Sequence, residues 1–217
     1  MTTLKVIPEE KPDVNKVATC AVLDKSAMSR KVFTEEECER IIKMSKAWEQ
    51  IDAKIQTKSS NAESEINDDY RNCKMYGPPV DKTDSWIWIG EKISAAIYNF
   101  NSKEGWKFNL IGMAERPMMM EYEQGGPLHA GGKYDWHIDL GPSKLASTRK
   151  LGFSLFLNDD YEGGEFQIKT GRENYIPPQQ ETGNLLFFPS YLVHRVTLVT
   201  KGTRKVLVGW VHGDSFR

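Results

Sequence analysis

Apolar residues change their spacing partway along the chain. Between Thr34 and Phe100 they recur every three or four positions, and from about residue 106 they alternate or run in short blocks. The first spacing is that of helices with one buried face, and the second that of strands. Thr34 followed by Glu37 is a capping box, in which each side chain satisfies the other's free backbone N–H, so a helix should begin there. Cys38, Ile41, Ile42 and Trp48 then fall on one helical face. Asp84 or Ser85 can cap a second helix, whose apolar stripe is Trp86, Ile89, Ile93, Ile97 and Phe100. Residues 57–84 carry no period and are rich in Ser, Asn, Asp, Lys and Pro, so they read as a long surface loop of the lid type. Residues 1–16 read as a loose arm.

The strand-like half contains candidates at 106–112, 116–123, 132–139, 148–157, 164–169, 184–189, 193–200 and 203–212. Turn residues cluster between them, as in GPLHAGG, NDDYEGG and ETGN. Helices followed by many short strands predict a mainly β fold with N-terminal helices, an all-β barrel or jelly roll buttressed from one side. A length of 217 residues suits one domain, with 1–105 as helical support and lid and 106–217 as the β core.

Composition narrows the partners. Lys and Arg number 29 against 30 Asp and Glu, a net charge of −1, which does not describe a surface built for a phosphate backbone; no nucleic-acid partner is expected. The three cysteines, Cys20, Cys38 and Cys73, are odd in number and form no CxxC pair, which argues against a zinc site or a disulfide framework and for a reducing compartment. No apolar run is long enough for a bilayer, and the polar N-terminus MTTLKVIPEEKPDVNK is not a signal peptide. The expected location is the cytoplasm, with no membrane partner.

Candidate chemistry begins in YDWHIDL. On a strand, His137 and Asp139 share a face with Lys133 and Asp135, while Tyr134, Trp136 and Ile138 take the other. An imidazole beside a carboxylate offers two arms of a chelate, a weak signal by itself. His194 opens a later apolar strand and completes two histidines and one carboxylate, the facial set of non-haem Fe(II) oxygenases. Zinc hydrolases use a similar set. Arg204, on the following strand with Val206, Val208 and Trp210 on its face, bears on that choice. A guanidinium among apolar neighbours is costly unless an anion meets it, and a bound dicarboxylate such as 2-oxoglutarate would do so.

The stretch from Tyr122 to the C-terminus, through YDWHID, LGFSLFLNDDYEGGEFQI and GNLLFFPSYLVHRVTLVTKGTR, resembles the catalytic core of 2-oxoglutarate/Fe(II)-dependent dioxygenases. Its nearest branch is the prolyl 4-hydroxylase-like and PKHD-type hydroxylases, including forms carried by bacteriophages. VFTEEECERII extends the resemblance more loosely into the N-terminal half. The resemblance implies a double-stranded β-helix, a cupin-like jelly roll with the metal near one mouth. It implies Fe(II), O2 and 2-oxoglutarate as co-substrate, with ascorbate as an accessory reductant. His137, Asp139 and His194 match the catalytic metal ligands, Arg204 and Tyr122 the residues on 2-oxoglutarate, and Trp210 a residue lining the iron pocket. Some relatives hold the far carboxylate with a second tyrosine, whose place Leu155 takes here.

The expected reaction is hydroxylation of a C–H bond with release of succinate and CO2. The expected substrate is a peptidyl residue of a peptide or protein, proline first, in a host cytoplasm if the chain is phage-encoded. The residues alone leave open a hydroxylase of a free amino acid or small metabolite, a zinc hydrolase, and a non-catalytic cupin-like metal-binding protein. Tyr76, Trp86 and Trp136 are candidate walls of a peptide groove, and His129 sits in a loop expected near the mouth. His212 is expected to have no chemical role, and Gly163 and Gly164 to form a turn.

Overall fold

The computed structural model describes residues 27–53, 55–56, 64–65, 67–101, 105–127, 130–170, 173–175, 177 and 179–215. The predicted arm at 1–16, Cys20, His129 and residues 57–63 of the predicted lid lie outside them. In chain order the elements are β1 (Met28–Lys31), α1 (Glu35–Ser45), β2 (Glu49–Ile51), β3 (Ile55–Gln56), β4 (Ser64–Glu65), β5 (Arg71–Asn72), β6 (Lys74–Gly77) and α2 (Thr83–Asn99). Then come β7 (Leu110–Gly112), β8 (Met118–Glu123), β9 (Lys133–His137), β10 (Arg149–Phe156), β11 (Glu162–Gly163), β12 (Phe166–Thr170) and β13 (Glu173–Tyr175). The last four are β14 (Asn184–Pro189), β15 (His194–Val196), β16 (Val199–Lys201) and β17 (Thr203–Gly213).

Two antiparallel sheets face each other. The larger runs β1-β14-β10-β17-β8-β6-β2, with β7 also paired to β17; the smaller runs β13-β12-β15-β9-β5. The central strands of the larger sheet are apolar on both faces because both are covered. Leu185 and Phe187 of β14 pack with Leu151, Phe153 and Leu155 of β10 and with Ile41, Ile89, Ile93 and Ile97 of the helices. Leu186 and Phe188 face the opposite way, toward Phe166, Ile168 and Val196 of the smaller sheet. This double burial is why β14 reads as the unbroken run NLLFFP rather than an alternating one.

The capping box forms as expected: the Glu37 amide donates to Thr34 Oγ1 at 3.2 Å and the Thr34 amide to Glu37 Oε2 at 2.8 Å. Glu37 also accepts from Lys92 at 2.6 Å, tying α1 to α2. The second helix starts at Thr83, ahead of both predicted caps, because it continues from the 3-10 turn Val80–Lys82. Among the described residues no helix is long and apolar enough to cross a membrane.

Three expectations are corrected. The strand predicted at 106–112 is only β7. Its first half is held irregular by Asn101, whose side-chain amide bonds both the N–H and the C=O of Phe108, and by Lys107 at φ 55°. The strand predicted at 193–200 is two strands, because β15 pairs with β12 and β9 whereas β16 changes partner to β11. Most consequential is the stretch read as one lid loop. Its described part contains β5, which extends the smaller sheet beside β9, and β6, which extends the larger beside β8.

Candidate metal centre and cofactor pocket

His137 ends β9, Asp139 lies two residues beyond it, and His194 opens β15, with His137 and His194 directly opposite in the ladder. Ligand atoms of all three lie within 4.8 Å of one another. His137 Nε2 is 3.8 Å from Asp139 Oδ1, and His194 Nε2 is 3.6 Å from Oδ2. Each imidazole has its other nitrogen on a carbonyl, His137 Nδ1 at 2.7 Å from Asp135 O and His194 Nδ1 at 2.8 Å from Leu192 O. A carbonyl only accepts, so both Nδ1 atoms carry a proton, and each Nε2 is the nitrogen on the side of Asp139. Burial, reinforced by His194, holds the His137 imidazole well below its usual pKa. It is therefore neutral at pH 7, the form that binds metal.

Backbone bonds lock the triad. The amides of Asp139 and Leu140 both donate to Ser190 O, at 3.0 and 3.1 Å, which joins the Asp139 turn to the turn before His194. Arg149 Nη1 donates to Asp139 O at 3.1 Å. Arg149 is itself clamped by Glu115 through bonds of 2.7 and 2.6 Å, and it lies 3.5 Å over the Trp210 ring. Aromatic walls close in: Tyr134 is stacked on His137 at 3.5 Å and 16°, while Phe188 and Phe166 stand 4.6 and 5.2 Å from His194.

The expected alternation along β9 fails at one point. His194 and Val196 oppose His137 and Tyr134, so between these pairs the single residue Arg195 of β15 faces two of β9, Asp135 and Trp136, a β-bulge. The extra residue brings Tyr134 onto the side of His137 and leaves Asp135 exposed, the reverse of the strict period-two reading. Burial pushes the Tyr134 phenol up to about 12.

The triad sits in a cavity of about 610 Å³, which Tyr122, Arg204 and Trp210 also line. Arg204 is 1% exposed, and among the described residues its Nε, Nη1 and Nη2 have no hydrogen-bond partner. Tyr122 is equally buried; its ring is 5.2 Å from the guanidinium carbon, and its hydroxyl meets the Met120 sulfur at 3.3 Å and the Cys73 thiol. Leaving a guanidinium buried and unpaired costs on the order of several kcal/mol. This cavity therefore fits a ligand that brings its own carboxylate, and the triad fits a divalent metal with three open positions.

Some expected neighbours are elsewhere. Leu155 packs against the helices on the far face of β10; on the pocket side Ser154 lines the cavity and the Phe156 ring is 5.4 Å from Arg204. Trp86 donates to Pro79 O, Tyr76 packs on the helix-side core, and Trp136 is held between Arg195 and Lys169, so none of the three lines the cavity. His212 is buried beside Glu115. Gly164 is more than a turn: a Cβ there would be 2.9 Å from Arg204 Cδ. Sequence reasoning did not single out Arg71, Tyr70, Arg149 and Gly152 as site residues.

Residues 118–212 match the model of the 2OG-Fe(II) oxygenase superfamily. These residues, somewhat less than half of the chain, are similar to that superfamily. A PKHD-type hydroxylase of Synechococcus sp. (strain CC9605) is 40% identical over 84 residues, and the chain covers only 37% of its length. In fold, a Pseudomonas putida prolyl-4-hydroxylase superposes with a TM-score of 0.62 at 14% identity, over 89% of this chain and 96% of the other. A Trichoplax adhaerens prolyl hydroxylase, solved with a hypoxia inducible factor peptide fragment, superposes with a TM-score of 0.63 at 15% identity, over 88% and 86%. The family match and the His-Asp-His triad together imply Fe(II) and 2-oxoglutarate.

Proposed function

We propose that the chain is a 2-oxoglutarate- and Fe(II)-dependent dioxygenase that hydroxylates a C–H bond of a peptidyl residue, proline foremost, with release of succinate and CO2. One observation carries this reading. The cavity has three metal-ligand side chains in one wall and, in another, a guanidinium with no partner on any nitrogen.

His137, Asp139 and His194 hold the metal in this reading, and Arg204 with the Tyr122 hydroxyl takes the far carboxylate of 2-oxoglutarate. When bound, the ferrous ion and the keto acid supply the oxidising chemistry toward O2. The protein's part is geometry and exclusion of water. The carbonyls of Asp135 and Leu192 orient the two imidazoles, while Tyr134, Phe166 and Phe188 keep the centre dry. Trp210, under Arg149, forms part of the wall where substrate enters. The chain works as one dioxygenase domain, the N-terminal helices supporting the core. The peptide substrate is supported by the likeness to PKHD-type and prolyl hydroxylases.

Anaerobic addition of Fe(II) and then 2-oxoglutarate should produce a metal-to-ligand charge-transfer band. A peptide panel screened by mass should then show gain of one oxygen atom, coupled to succinate. Absence of the band refutes the co-substrate reading. A band with oxidation confined to free amino acids or metabolites would replace the substrate.

A further inference from the structure

Arg204 is not alone in the cavity. Arg71, on β5, is 7% exposed and lines the same space. Among the described residues its Nε has no partner, its Nη2 meets the Met120 sulfur at 3.8 Å, and its side chain also bonds the Cys73 thiol. Its guanidinium lies 4.5 Å from the centre of the Tyr134 ring, which is itself stacked on His137. Among the described residues neither Arg71 nor Arg204 is in an ion pair.

The Met120 sulfur thus serves two donors, the Arg71 guanidinium and the Tyr122 hydroxyl. A thioether is a weak acceptor, and both donors gain little from it. Two buried cations and a phenol are therefore collected around two weak sulfur partners, the Met120 thioether and the Cys73 thiol, with no carboxylate among them. Two like charges held out of water repel each other and each lose hydration, a costly arrangement unless an anion arrives between them. The backbone fixes this placement: Arg71 is opposite Tyr134 in the β5–β9 ladder, and the Asp135 amide donates to Tyr70 O at 2.9 Å.

We propose that Arg71 is a second cationic anchor of the pocket, forming with Arg204 and Tyr122 a two-guanidinium cradle for the far carboxylate of a dicarboxylate keto acid. The inference rests on the 2-oxoglutarate reading above. It assigns Arg71 the selection of a five-carbon diacid over keto acids that lack the second carboxylate.

The test is calorimetric titration of the full chain loaded with Mn(II), using 2-oxoglutarate and, separately, 2-oxobutanoate, which lacks the far carboxylate. Wild type should prefer 2-oxoglutarate. Arg71→Met should weaken 2-oxoglutarate about tenfold or more, as befits loss of a charge-assisted bond, and leave 2-oxobutanoate nearly unchanged. Arg71→Lys should recover part of the loss. The metal-free Arg71→Met protein should melt no lower than wild type, because a desolvated charge has been replaced by an apolar chain of similar length. If Arg71→Met does not fold, Arg71→Gln and Arg71→Lys report the same affinity ratio. A wild-type protein without preference for the diacid sinks the co-substrate reading itself. Wild-type preference that survives intact in the Arg71 variants sinks the cradle alone.

Discussion

Gly152 faces the Asp139 carboxylate across a gap that only a hydrogen atom fits. A Cβ at residue 152 would stand 2.8 Å from Asp139 Oδ2 and 2.6 Å from Phe188 Cζ. Phe188 is itself wedged against His194 and is 2% exposed, so it has little room to yield. The carboxylate is the freer of the two. Gly152→Ala should therefore rotate Asp139 away from the shared ligand point. We expect Mn(II) affinity to fall about tenfold, the scale of a disturbed ligand-orienting contact, with the far-UV spectrum unchanged. Unchanged affinity would show that the aromatic ring moves instead.

Tyr134 makes a second, separable contribution. Its ring lies flat on His137, and the bulge in β9 is what puts it there. Tyr134→Phe keeps the stacked face and loses only the hydroxyl, so metal binding should stay within about twofold of wild type. Tyr134→Ala opens one side of the imidazole to water and frees the ring to turn, and should weaken Mn(II) by about tenfold. Equal effects of the two substitutions, read by titration of Mn(II), would shift the role from the ring to the hydroxyl.

The comparison of sequence with structure follows the same physics. His194 and Arg204 were legible because each breaks an apolar strand pattern, where a buried polar group needs a reason, and His137 and Asp139 because their spacing completes a ligand set with His194. Both helices were legible from their periodic stripes and the Thr34–Glu37 cap. Arg71 was hidden because β5 is two residues long and lies in a polar stretch without a period, so nothing local says that the larger fold buries it. Tyr134 was assigned to the wrong face because a bulge shifts the alternation by one residue, and a bulge is set by the partner strand. Gly152 was silent because the need for a missing Cβ depends on Asp139 and Phe188, both distant in sequence.

His212 gives the fold a pH dependence whose sign is fixed by burial. It is 3% exposed, with Nδ1 at 2.9 Å from Thr148 Oγ1 and Nε2 at 3.2 Å from Glu115, a carboxylate already paired with Arg149. Burial lowers its pKa below 6.5 despite that carboxylate. Below pH 6.5 the unfolded chain takes up a proton that the folded chain resists, so stability falls with pH between that value and the folded pKa. Above it both states are neutral and the group contributes no slope. The urea midpoint of His212→Gln should therefore drop less than that of wild type between about pH 7.5 and about pH 5.5. His137 contributes a slope of the same sign to both proteins, so the difference between them isolates His212. A steeper drop in the variant would mean that Glu115 stabilises the protonated ring more than burial disfavours it.

Gly163 and Gly164 together separate a turn from a seat for Arg204. Both have positive φ, 75° and 62°, so alanine at either strains the backbone, at about 1 kcal/mol before any clash. The clashes differ. At Gly163 a Cβ would press on Leu198 O, a backbone atom of the neighbouring strand connection, whereas at Gly164 it would meet Arg204 Cδ at 2.9 Å and Val199 Cγ2 at 2.9 Å. Arg204 is fully enclosed, so a push on Cδ is transmitted to the guanidinium rather than absorbed in solvent. Gly163→Ala should lower the melting temperature and leave 2-oxoglutarate binding to the folded protein within about twofold. Gly164→Ala should lower the melting temperature less, since a side chain rather than backbone must move, yet weaken 2-oxoglutarate by about tenfold, the cost of misaligning one charge-assisted bond. Measured together by calorimetry and thermal melts, the two alanines must rank in opposite order for affinity and for stability. If they rank alike, Gly164 serves the turn alone, and Arg204 is positioned from its own strand.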